Sequence, residues 1–152
     1  MVKFDQAKES YMQAILMEAG NVEAHNNLGV TLKELGRLNE ALASFTQSIA
    51  LKADLADAHY NLGNTLKELG RLEEAEVSYK QAIASKPDYA EAHRDLCNTR
   101  QELGRLAGAA GRYTQAIAFK RDYGEAHSNL GNTLQELGRS NEAEVSYLQV
   151  IA

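Results

Sequence analysis

One eighteen-residue stretch occurs four times at a fixed interval, and that interval leaves few folds open. Residues 24–41 read AHNNLGVTLKELGRLNEA, 58–75 AHYNLGNTLKELGRLEEA, 92–109 AHRDLCNTRQELGRLAGA and 126–143 AHSNLGNTLQELGRSNEA. His25, His59, His93 and His127 mark the period, each 34 residues from the next (59−25, 93−59, 127−93). A period of this length belongs to stacked supersecondary units. Each is too small to bury its apolar face alone, so its neighbours supply the core.

Within one unit, Ala58, Leu62, Gly63, Leu66 and Leu69 recur at helical spacing and form one face of a first helix. Asp54-Leu-Ala-Asp57, Asp88-Tyr-Ala-Glu91 and Asp122-Tyr-Gly-Glu125 put an acid before the helix and a second acid three residues on, which predicts an acidic capping box. Gly36, Gly70, Gly104 and Gly138, each after Glu-Leu, predict a stop in the left-handed conformation. A second helix follows, with Leu72, Ala75, Tyr79, Ala82 and Ile83 on one face, and ends near Pro87. The unit is a hairpin of two antiparallel helices. Inside a helix, Gly29, Gly63 and Gly131 each cost about 1 kcal/mol relative to Ala. Their repetition predicts a crossing with no room for a side chain. Ala41, Ala75, Ala109 and Ala143 serve the same crossing from the second helix, and Phe45, Tyr79, Tyr113 and Tyr147 plug the space between hairpins.

The set Leu62, Gly63, Leu66, Gly70, Ala75, Tyr79, Ala82 and Pro87 resembles the tetratricopeptide repeat (TPR), and the match covers essentially the whole chain. The Asn-Leu-Gly wording is also similar to the repeat arm of O-linked N-acetylglucosamine transferase and to bacterial repeat arrays. The resemblance implies an all-α, right-handed α-solenoid of helix hairpins that binds proteins or peptides. Repeat phase gives about nine helices. Residues 1–21 form an orphan second helix, since Phe4, Ala7, Tyr11, Ala14 and Ile15 repeat that pattern; 22–55, 56–89 and 90–123 are full repeats; 124–152 is a last, truncated one. Neither end shows a polar cap, which predicts a fragment of a longer array. Apolar end faces are expected at Phe4, Tyr11 and Ile15 and at Tyr147, Val150 and Ile151, with head-to-tail self-association between them.

Several function classes are disfavoured. The formal net charge of −5 opposes binding to a nucleic-acid backbone or an anionic membrane. No apolar run approaches the roughly 20 residues of a membrane span, and the N-terminus MVKFDQAKESYMQ has no apolar signal segment. With Cys97 alone, no intrachain disulfide is possible. These features predict a cytoplasmic protein. The histidines fill equivalent places in successive units, at least one helix packing distance of roughly 8–10 Å apart. Such a separation is too long for a shared zinc ion, so they read as packing residues. Cys97 stands where other units have Gly29, Gly63 and Gly131, and reads as a small core residue. No catalytic, cofactor-binding or metal-binding residue is expected.

The binding signal is stronger. Asn27, Asn61, Asp95 and Asn129 precede the core leucine of each unit, and Asn64, Asn98 and Asn132 lie three residues on, along the same side of the helix. In the resembled family the first helices line a concave groove, where stacked amides form a ladder. An amide offers both donor and acceptor to an extended peptide backbone. Arg94, Asn98 and Asn129 match the first part of the carboxylate clamp of some co-chaperones, but Glu23, Asp57, Glu91 and Glu125 oppose it. The third unit departs from the others. Arg100 replaces a core leucine, Arg121 replaces Pro87, Gly108 and Gly111 enter the second helix, and Arg112 follows. A buried, unpaired guanidinium is costly, so Arg100 must reach water or an acid. Three functions remain open: a non-enzymatic scaffold that holds an extended peptide or protein segment, a substrate-recruiting arm of a larger enzyme such as a glycosyltransferase, and a structural array assembled through its ends.

Overall fold

The computed structural model describes residues 2–119 and 124–151. Among them are eight helices: α1 (Val2–Met17), α2 (Val22–Glu34), α3 (Leu38–Leu51), α4 (Ala56–Glu68), α5 (Leu72–Ser85), α6 (Ala90–Phe119), α7 (Gly124–Glu136) and α8 (Ser140–Ile151). Consecutive helices pack in sequence order as an α-solenoid, with α2·α3, α4·α5 and α7·α8 as hairpins. Arg121 and Asp122 lie outside the described residues, as does the side chain of Ile151.

Each hairpin is closed by the same contact. A Cβ built on Gly29 would meet the Phe45 ring at 2.6 Å, on Gly63 the Tyr79 ring at 2.7 Å, and on Gly131 the Tyr147 ring at 2.5 Å. Glycine is required because the ring occupies the side-chain volume. Phe45 and Tyr79 are fully buried, and with Leu32 and Ala41, and with Leu66, Ala75 and Leu96, they form two core clusters that share the half-buried Leu62. A ring that buries roughly 150–250 Å² at about 25 cal/mol per Å² contributes about 4–6 kcal/mol. That exceeds the roughly 1 kcal/mol cost of a glycine within a helix.

The turns are also built alike. Gly36, Gly70 and Gly138 have φ of +73°, +75° and +73°. The Arg37, Arg71 and Arg139 backbone N–H groups donate to the carbonyls of Leu32, Leu66 and Leu134 at 2.9, 2.9 and 2.8 Å, completing Schellman caps. The same arginines then reach forward to a glutamate. Arg37 Nε donates to Glu40 at 2.6 Å, and Arg71 and Arg139 donate to Glu74 and Glu142 at 2.7 Å, each seconded by Nη2. These forked bonds hold the Glu74 and Glu142 carboxyls below the usual range.

The third unit does not close, so eight helices stand where about nine are expected. Gly104 does not end a helix; α6 runs straight through it for 30 residues. Three changes account for this. Cys97 puts a Cβ where a ring must sit, and overpacking of this kind costs roughly 1–3 kcal/mol. Arg100 replaces the leucine that anchors both core and cap; it lies exposed and donates to Glu76 at 2.9 Å. Gly108 replaces the glutamate of the Arg–Glu clamp. Continuing the helix instead satisfies the orphan backbone groups that two helix ends would leave. The expectation that Cys97 is a core residue is therefore corrected: it is exposed.

The acidic caps are also corrected. The first helices begin one residue later than the acids imply. The carbonyls of Asn21, Leu55 and Tyr89 accept from His25, His59 and His93 N–H at 3.2, 3.2 and 3.1 Å. Only at Asn21, among those three, is a side-chain cap recorded, accepting from Ala24 N–H at 2.9 Å; Leu55 has none, and Asp54 and Asp88 lie outside the cap. Pro87 follows α5, which ends at Ser85.

Gly104→Ala tests the straight helix. Ala is the better helix residue by about 1 kcal/mol, and a Cβ at Gly104 meets nothing within 4 Å. Gly104→Ala is expected to raise stability by up to about 1 kcal/mol, whereas Gly70→Ala, at φ +75°, is expected to lower it by roughly 1–2 kcal/mol. Urea denaturation measures both, and a loss at Gly104 equal to that at Gly70 would mean that residue 104 ends a helix.

Candidate functional site

The first helices α2, α4 and the first half of α6 carry side-chain bonds from one unit to the next. Asn61 Nδ2 donates to Asn26 Oδ1 at 3.5 Å, and Tyr60 Oη donates to Asp95 Oδ2 at 2.8 Å. Both bonds span 35 residues, one period plus one, so they link neighbouring units edge to edge. Asn27, Asn61, Asn64 and Asp95 are half-buried on this strip, while Arg94 and Asn98 are exposed. Asn129 and Asn132 stand on α7, which packs against the second half of α6: Ala107, Ala110 and Gly111 line a common cavity with Leu130 and Leu134.

The predicted ladder divides into two kinds of amide. Asn64 Oδ1 accepts from Tyr79 Oη at 2.8 Å, and Asn132 Oδ1 accepts from Tyr147 Oη at 2.6 Å. At these places the amide oxygen anchors the hydroxyl of the ring that closes the hairpin, and Asn64 also bonds the Tyr60 phenol. Asn98 is the matching residue of α6, and its unit's Tyr113 is 15 residues away along the same helix. The carbonyls of Asn27, Asn61, Asp95 and Asn129 each accept from a threonine hydroxyl one turn on, at 2.8 to 3.0 Å.

Asp95 is the most strongly engaged carboxylate on the strip. Burial alone would raise its pKa, but the hydrogen bonds from Arg94 and Tyr60, with the charges of Arg94 and Lys67, outweigh burial and hold it below the usual aspartate value. Arg94 Nε reaches Asp95 Oδ1 at 3.0 Å and Nη2 reaches Oδ2 at 3.2 Å. Beside this group, the Tyr60 ring lies 4.9 Å from Tyr89 and 6.0 Å from Tyr79, tilted to both, and Lys86 Nζ stands 4.8 Å from the Tyr89 centroid. Burial, then hydrogen bonding to Asp57, pushes the Tyr89 phenol up. Sequence reasoning missed this aromatic wall. Its available signal was that Tyr60 occurs where the other units have Asn26, Arg94 and Ser128.

The histidines serve the turns. Nε2 of His25, His59 and His93 meets the carbonyls of Ala19, Ala53 and Pro87 at 3.2, 2.8 and 2.9 Å, each six residues back. A carbonyl only accepts, so Nε2 carries the hydrogen and pins the preceding turn to the first helix. His59 and His127 are buried. Among the described residues, no three His, Cys, Asp or Glu side chains are grouped to hold a metal, and no helix is long and apolar enough to cross a membrane.

Stacked helical hairpins with a polar strip on their first helices define a helical repeat protein. Models described as TPR repeat match residues 31–70 and 98–138, and models described as tetratricopeptide repeat match 10–43, 56–89 and 125–152. The chain belongs to the tetratricopeptide repeat family. No curated protein matches it in sequence. A crystal structure of MamA is similar at 26% identity and TM-score 0.64, over 97% of this chain and 86% of that one. The first TPR of Spaghetti (RPAP3), bound to the HSP90 peptide SRMEEVD, is 24% identical with TM-score 0.66, over 67% and 81%. A Thermobaculum terrenum O-GlcNAc transferase mutant is 30% identical with TM-score 0.58, over 60% of this chain and 18% of that one.

The lowered Asp95 pKa has a stability consequence. A depressed carboxyl stabilises the fold above its unfolded value of about 3.9, and that contribution is lost as pH falls through the folded value. Asp95→Asn is therefore expected to lower the urea midpoint at about pH 7 and to lower it less at about pH 2.5. An equal loss at both pH values would contradict the assigned ion pair.

Proposed function

We propose that the chain is a non-enzymatic interaction scaffold in the cytoplasm that holds an extended peptide or protein segment along its first helices. The observation that carries this reading is the pair of bonds between units, Asn61 to Asn26 and Tyr60 to Asp95. They hold the polar groups of three consecutive first helices edge to edge, in the arrangement an extended backbone needs. Asn27, Asn61, Asn64, Arg94, Asp95, Asn98, Asn129 and Asn132 are the proposed contacts. Tyr60 and Tyr89 add an apolar wall for a side chain, and Lys86 beside Tyr89 adds a cation. The peptide carried by the Spaghetti repeat supports this mode of use in the fold. The transferase likeness, confined to 18% of that protein, favours a second reading in which the array recruits substrates for an attached enzyme. Both readings place the ligand on the same strip.

Selection from a random-sequence peptide display library tests the scaffold. Enriched peptides are expected to bind the wild-type chain. Replacing Asn61, Asn64, Asn129 and Asn132 together with Ala should leave the helical circular dichroism unchanged while each lost neutral hydrogen bond costs roughly 0.5–1.5 kcal/mol of affinity. Peptides that bind the quadruple variant as tightly as the wild type would place the ligand elsewhere.

A further inference from the structure

The two halves of α6 each present a hairpin face that the chain itself does not fill. In the closed units a first helix takes the ring of its own second helix: Phe45 on Gly29, Tyr79 on Gly63, Tyr147 on Gly131. In α6 the matching residues are Cys97 and Tyr113, 16 positions apart on one helix and therefore about 24 Å apart along its axis. Cys97 and Asn98 are exposed, and Tyr113, Leu103 and Leu106 are only half-buried, whereas Phe45 and Tyr79 are wholly buried.

We propose that a second copy of this chain fills both faces. The two α6 helices lie antiparallel, the first half of each against the second half of the other, in a two-fold symmetric, domain-swapped dimer. The repeat itself specifies this occupant, because in three other units the complement of a first helix is a second helix of the same wording. The register follows as well. Gly63 and Tyr79 are equidistant from Arg71; moved on by one period, Cys97 and Tyr113 are equidistant from Arg105. The dyad therefore passes beside Arg105, and each Cys97 faces the other copy's Tyr113. Within one chain the turn would hold the helices at the closed spacing, where the Cys97 Cβ collides with a ring. Between copies no turn tethers the pair, so the helices separate by the width that Cβ needs. A Cβ at Gly104 or Gly108 meets nothing within 4 Å, so the middle of α6 is open to another helix.

Sedimentation of the wild-type chain at roughly 0.1 mM should give twice the chain mass, falling on dilution by mass action. The variant Cys97→Gly, Arg100→Leu, Gly108→Glu restores the three features of the closed hairpins and should sediment as a monomer, with helical circular dichroism retained. Gly104→Ala, which strengthens the straight helix, should stay dimeric. Tyr113→Cys supplies a trap: on oxidation, disulfides from Cys97 of each copy to residue 113 of the other should give a covalent dimer, seen without reductant. A monomeric wild type overturns the proposal, and so does a Tyr113→Cys protein that forms an intrachain disulfide or none. A restored variant that dimerises as well as the wild type also overturns it, by placing association on another surface such as the apolar ends.

Discussion

The contact on which this array depends is an aromatic ring seated in the missing side-chain volume of a glycine. It recurs as Phe45 on Gly29, Tyr79 on Gly63 and Tyr147 on Gly131. Ring burial of about 4–6 kcal/mol outweighs the glycine cost and the entropy of a reversed turn, so these three hairpins close. Closure then fixes everything above it. It sets the first helices side by side, brings Asn61 to Asn26, and lets Tyr79 and Tyr147 reach Asn64 and Asn132 from beneath. Core and surface are thus tied by one side chain, with the ring below and the hydroxyl above.

The third unit shows what happens when that seat is filled. Cys97 blocks the ring, Arg100 leaves the core for Glu76, and Gly108 offers Arg105 no carboxylate. The Glu-Leu-Gly-Arg wording of the turn is intact at residues 102–105, yet the chain goes straight. A turn sequence permits reversal; packing of the two helices is what makes reversal the lower free energy. The ion pair of Arg100 with Glu76 is exposed and of the kind worth under about 1 kcal/mol. It accommodates the arginine without fixing the helix.

Much of this architecture is legible in the sequence alone. The 34-residue period specifies stacked hairpins, and the recurring glycines specify the crossings, because both are steric requirements written at fixed spacing. Gly36, Gly70 and Gly138 stop their helices as their wording implies. Gly104 does not, since its behaviour depends on residues 97, 100 and 108, none of which lies in the turn. The acidic caps misled because a carboxylate before a helix reads the same whether it caps or merely faces water. Among the strip residues, the Asn places were readable by recurrence. The Tyr60–Asp95–Arg94 group was not, because it occurs at one junction only and joins residues from two different units, and the Tyr60–Tyr89 wall was not, because Tyr60 has no counterpart at Asn26, Arg94 or Ser128.

The continuity of α6 is measured most directly as a distance. Spin labels on the native Cys97 and on Gln115→Cys, in protein diluted with unlabelled chain so that only intrachain pairs are seen, report on both sides of Gly104 from exposed positions. Eighteen residues of unbroken helix place the backbone sites about 27 Å apart (115−97, at 1.5 Å each). A dipolar distance near that value is the result this account predicts; one of roughly 10 Å, the spacing of two packed helices, would show that the third hairpin closes and would contradict it.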